Sequence, residues 1–104
     1  MKIIKSRIKH ELTNKKALER CARQFGVTGH PTRMKICYLL CKYPELPVSD
    51  ISDLVGISIS AISQHLAKLK DCQIVQPRRE AQTIYYSLEN NSFTKILKTQ
   101  LLKA

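Results

Sequence analysis

Ser49-Asp50-Ile51-Ser52-Asp53-Leu54-Val55-Gly56-Ile57-Ser58-Ile59-Ser60-Ala61-Ile62-Ser63-Gln64-His65-Leu66-Ala67-Lys68-Leu69-Lys70 is the stretch whose reading decides the fold. Ser49 is placed to cap a short helix, and Asp50 and Asp53 complement the positive end of its dipole. Ile51, Leu54 and Val55 supply its apolar face, and Gly56 ends it. Ser58 then caps a second helix expected to run through about Lys70, with Ile62, Leu66 and Leu69 facing inward at helical spacing. Two helices joined by a tight turn that contains glycine form a helix-turn-helix unit.

The flanking sequence completes the domain. Upstream, Pro31 opens a helix in the favoured first-turn position, and Met34, Ile36, Cys37, Leu39, Leu40 and Cys41 make it mostly buried. Pro44 and Pro47 bracket a turn after it. Farther upstream a helix is expected over Asn14 to Phe25, where Ala17, Leu18, Cys21, Ala22 and Phe25 share one face; Gly26 and Gly29 break it. Residues 1–13 read as a basic arm, with Lys2, Lys5, Arg7 and Lys9 between Ile3, Ile4 and Ile8. Downstream, Ile74-Val75, the turn-prone Pro77 to Gln82 and the alternating Thr83-Ile84-Tyr85-Tyr86-Ser87-Leu88 predict a β-hairpin whose tip carries Arg78, Arg79 and Glu80. A last helix is expected over Ser92 to Leu102, with Phe93, Ile96, Leu97 and Leu101 on one face. The whole is mainly α with a small β-hairpin: a winged helix-turn-helix of about five helices plus a two-stranded wing, occupying 14–104 behind the arm at 1–13.

Composition narrows the function. A chain of 104 residues suits one compact domain, and 43% hydrophobic residues suit an ordinary core. No apolar run approaches the ~18 residues of a membrane span, and residues 1–16 lack the apolar centre of a signal peptide. A cytoplasmic location is therefore expected. Lys and Arg number 18 against 8 acidic residues, a net charge of +10 that attracts polyanions. No paired carboxylates, nucleophile–base arrangement or glycine-rich phosphate loop is present, so an enzyme is not expected, nor a cofactor. Cys21, Cys37, Cys41 and Cys72 are expected as thiols, with neither CxxC nor CxC spacing for zinc.

The polar face of the second helix of the unit points to duplex DNA. Ser58, Ser60, Ala61, Ser63, Gln64, His65 and Lys68 lie at its start or on its outer side. Short side chains there let the backbone approach the major groove; Gln64 can pair with an adenine edge, and Ser63 with a base or phosphate. Arg78 and Arg79, with Thr83 beside them on the hairpin, can reach phosphates or the adjoining minor groove. A sequence-specific regulator is the leading reading. A non-specific architectural DNA-binding protein is the alternative, favoured by the basic arm and opposed by Gln64.

Four segments resemble the ArsR family of winged helix repressors: Pro31-Thr32-Arg33-Met34-Lys35-Ile36, Val48-Ser49-Asp50-Ile51, Ile57 to Leu66, and Arg79 to Leu88. The likeness extends over about residues 14–102 and is strongest to the metal-independent branch, which includes haemolysin-gene activators and persulfide-sensing repressors. It implies a homodimer through the first and last helices, and hence an operator that is an imperfect inverted repeat. It implies that Ser60, Ser63, Gln64 and His65 lie on the recognition helix and Arg78 and Arg79 on the wing. His65 either reads a base or supports the helix by hydrogen bonding. The sign of regulation, repression or activation, stays open. The chain departs from the family's metal sensors: Pro47-Val48-Ser49 replaces a Cys-x-Cys, and the last helix has no His, Asp or Glu, so no metal is expected. It departs from the persulfide sensors too, with Tyr38 at the second-helix thiol position, Cys37 one residue earlier, and no cysteine in the last helix. Cys37 and Cys72 are the redox candidates; the plainer reading makes the upstream cysteines small core hydrophobes. Gln73 stands where relatives often have glycine just past the helix end, at a cost on the order of 1 kcal/mol if the backbone there is left-handed.

Overall fold

The structure, a computed structural model, describes Lys5 and residues 30–103. Its elements are α1 (Pro31–Lys42), β1 (Leu46–Pro47), α2 (Val48–Val55), α3 (Ile59–Asp71), β2 (Val75–Glu80), β3 (Thr83–Leu88) and α4 (Ser92–Lys103). The helix expected over Asn14 to Phe25, Cys21 within it, and the arm apart from Lys5 lie outside the described residues.

Helix α1 starts at Pro31, as expected, and His30 caps it: the ring Nδ1 accepts the Thr32 N–H at 3.2 Å. The six apolar residues expected to be buried are buried. The segment between Pro44 and Pro47 is more than a turn. Leu46 is only 2% exposed, and seating it in the core lays this extended stretch against β3, with Leu46 opposite Tyr86 and Pro47 opposite Tyr85. The sheet therefore has three antiparallel strands in the order β1-β3-β2, where two were expected. Pro47 is tolerated because β1 is an edge strand, where a missing N–H breaks no internal ladder.

Two boundaries also differ. Helix α2 starts at Val48 with Pro47 at its N-cap and no side-chain cap, so Ser49 is inside the first turn and not the cap expected of it. Strand β2 continues through Glu80, placing Arg78, Arg79 and Glu80 in the ladder opposite Tyr85, Ile84 and Thr83. The hairpin tip is only Ala81-Gln82. Pro77 is a turn signal in most settings, but β2 is the other edge of the sheet, where proline is permitted. Ala81, the first residue of this two-residue loop, has φ 53°, in the left-handed region.

The helix-turn-helix itself follows the sequence. Gly56 closes α2 at φ 85°, and the Ser52 hydroxyl donates to the Ile57 carbonyl at 2.6 Å, fixing the turn. Ser58 caps α3, its Oγ accepting the Ala61 N–H at 3.1 Å. Ile51 and Leu54 of α2, Ile62, Leu66 and Leu69 of α3, the apolar face of α1, Val75, and Leu97 and Leu101 of α4 form one core. Leu97 is thus internal, while its neighbour Ile96 is 51% exposed. Helix α4 is started by a reciprocal pair: Asn91 Oδ1 accepts the Thr94 N–H at 2.9 Å, and Thr94 Oγ1 accepts the Asn91 N–H at 3.0 Å. Asn91 Nδ2 also donates to the Gln73 carbonyl at 2.8 Å, tying α4 to the end of α3. Gln73 is left-handed, with φ 60°.

Candidate nucleic-acid interface

Helix α3 presents its outer face in two columns, because residues four apart stack one above the other. One column is Ser60, Gln64 and Lys68; the other is Ile59, Ser63 and Ala67; all six are exposed. Ser58, at the helix start, is exposed too, and its capping role uses an oxygen lone pair, which leaves the hydroxyl proton free to donate. Ala61 is half-buried at the margin of the face. The carboxylates of α2 are engaged elsewhere: Lys5 lies 2.7 Å from Asp53 and 3.4 Å from Asp50. Asp71, at the far end of α3, is exposed and remote from the helix start.

His65 is half-buried and turned toward α1. Its Nδ1 accepts from Arg33 Nε at 3.3 Å, and its ring centroid lies 4.8 Å from that of His30. Burial first, and then the positive charge of His30 and Arg33, hold its pKa below the ordinary 6.5. The neutral ring is the form that can accept from Arg33, and this bond ties α3 to α1. His30 and Arg33 were not singled out in the sequence. Pro31 marks His30 as a cap position, but nothing local signals a bond between Arg33 and a residue 32 positions away.

The two wing arginines differ. Arg78 grips Glu45 with two bonds of 2.8 Å, lies 3.7 Å from Glu80, and stacks its guanidinium 4.7 Å from the Tyr85 ring centre. That grip pulls the Glu45 carboxyl below the usual carboxylate range. Arg78 thereby braces the hairpin against the segment before β1. Arg79 is exposed and has no ion-pair partner among the described residues. Thr83 is half-buried at the start of β3.

The cysteines separate as clearly. Cys37 is fully buried, and burial, then the neighbouring Cys41, push its thiol upward, which disfavours the reactive thiolate. Cys72 is exposed. Pro47, Val48 and Ser49 serve as β1 residue and N-cap, first residue and first turn of α2, and carry no thiolate. Among the described residues no three His, Cys, Asp or Glu side chains gather as a metal site would require, and no helix is long and apolar enough to cross a membrane.

Residues 30–76 match the bacterial regulatory proteins of the arsR family. Over 81 residues the chain is 33% identical to the HTH-type transcriptional regulator YgaV of Escherichia coli K12, covering 78% of this chain and 82% of that protein. The chain belongs to the ArsR family. It is likewise 33% identical over 82 residues to the transcriptional repressor PagR of Bacillus anthracis, covering 79% of this chain and 82% of PagR. The solved structure of HlyU from Vibrio cholerae superposes with a TM-score of 0.68 at 28% identity, covering 88% of this chain and 99% of HlyU. As an ArsR-family winged helix-turn-helix protein, the chain is a DNA-binding transcriptional regulator.

Proposed function

We propose that the protein is a homodimeric, sequence-specific repressor that reads an imperfect inverted repeat without a metal cofactor. The observation that carries this is the exposed column Ser60, Gln64 and Lys68 on α3, free of acidic cover along its first two turns. Ser58, Ser60 and Lys68 hold phosphates and set the register, Gln64 and Ser63 address base edges, and Ala61 lets the helix seat closely. Arg79 reaches the flanking backbone, with Thr83 beside it. His65 acts as a positioning residue. The repressor relatives support the sign. A homodimer would pair α4 and the helix expected over Asn14 to Phe25, covering Ile96, and would act in the cytoplasm. Any thiol control would fall to Cys72 and not Cys37, and Cys72→Ser should then abolish sensitivity of DNA binding to diamide.

The test is selection of bound duplexes from a random pool with purified protein. An enriched inverted repeat, with half-sites about one helical turn apart, supports the reading. Retention without any enriched motif would instead make the protein an architectural coater.

A further inference from the structure

Among the described residues three large hydrophobic side chains are exposed: Ile59, Ile96 and Leu102. The latter two are on α4. Ile59 stands alone at the first position of α3, 50% exposed, whereas Ile62, Leu66 and Leu69 of the same helix are sealed in the core. A single exposed apolar residue is ordinary on a protein surface. Its surroundings here are not ordinary. Side chains on a helix lean toward its N-terminus, so Ile59 projects past the end of α3, which is the end that enters the major groove in this fold. It heads the small column with Ser63 and Ala67, beside the polar column that contains Gln64. Neither a hydrogen bond nor a charge is available to Ile59. The apolar group that the floor of the major groove offers is the 5-methyl of thymine.

We infer that Ile59 is a specificity-determining residue whose side chain packs on a thymine methyl in each half-site, next to the base read by Gln64. The inference rests on the reading of α3 as the groove-entering helix. Desolvating one methyl against the isoleucine corresponds to about a fourfold change in affinity.

The experiment begins from the enriched duplex. Each thymine is replaced in turn by deoxyuridine, which keeps every hydrogen-bonding group and removes only the methyl. Kd is measured for the parent, for Ile59→Ala and for Ile59→Val. The parent should lose about three- to fivefold at one thymine position per half-site. Ile59→Ala should bind the thymine duplex more weakly by a similar factor and be indifferent to uracil at that position. Ile59→Val, which keeps a branched apolar surface, should retain the sensitivity. Exposure of Ile59 means that these variants keep the fold, checked by thermal melting. If no thymine is methyl-sensitive, or if Ile59→Ala keeps the parent's sensitivity, the inference is overturned while the regulator reading stands. If the pool yields no enriched duplex, both fall together.

Discussion

At the scale of single residues, two positions put measurable physics into the helix-turn-helix and its flank. Gln73 occupies left-handed backbone at φ 60° with its side chain exposed, and the contact that matters there, from Asn91 Nδ2, is made to its carbonyl. Gln73→Gly keeps that contact and removes the Cβ strain, offset in part by the greater freedom of glycine in the unfolded chain. It should raise stability by about 0.5–1 kcal/mol in urea denaturation; a loss of stability would mean that the Gln73 side chain contributes a contact of its own. His65 is the second position. Its folded pKa is depressed, so the unfolded chain takes up the proton first, at about the ordinary 6.5. The stability contributed by the neutral ring is complete above that pH and is lost as pH falls through the folded value. Thermal melting followed from pH ~7.5 to ~5 should show a fall in Tm that His65→Gln makes shallower. A variant with the parent's pH slope would exclude His65 as the titrating group.

At the scale of elements, the wing carries a distinction that the sequence did not. Arg78 and Arg79 are adjacent and chemically identical, and both were expected to reach DNA. Glu45 is 33 residues from Arg78 in the chain, and only the docking of β1 on β3 brings it near. Arg79→Ala should therefore reduce the salt slope of DNA binding by about one, while Arg78→Ala should leave the slope nearly unchanged and instead loosen the hairpin. Equal slopes lost by both variants would mean that the Glu45 grip opens on DNA. The same contrast explains what was legible beforehand. Capping and breaking signals at Pro31, Gly56 and Ser58 are local, and they placed α1 and α3 to within a residue or so. The apolar period of α3 separated its buried face from its outer face, which exposed the candidate site. Strand β1 was hidden because two residues, one of them a proline, carry no period. The extent of β2 was hidden because proline and charge on an edge strand resemble a turn. The partners of His65 and Arg78 come from distant segments, where no spacing rule applies.

At the scale of the whole molecule, the core explains why a second copy is expected. Leu97 and Leu101 of α4 are consumed by the chain's own interior, but Ile96 and Leu102 face outward on the same helix. A twofold dimer that covers them would set two copies of α3 about one DNA turn apart. Sedimentation at micromolar concentration without DNA should give a dimer, and Ile96→Glu should shift it toward monomer. A parent that sediments as a monomer would remove the dimer from the account. In the proposed function α3 reads bases through Gln64 and does not merely hold phosphates. Its most direct test is the ratio of Kd for a scrambled duplex to Kd for the enriched duplex, measured at one salt concentration for the parent and for Gln64→Ala. The ratio should fall by about five- to 150-fold, corresponding to ~1–3 kcal/mol, with binding to the scrambled duplex unchanged. Equal weakening on both duplexes, leaving the ratio where it was, would contradict base reading by this helix face.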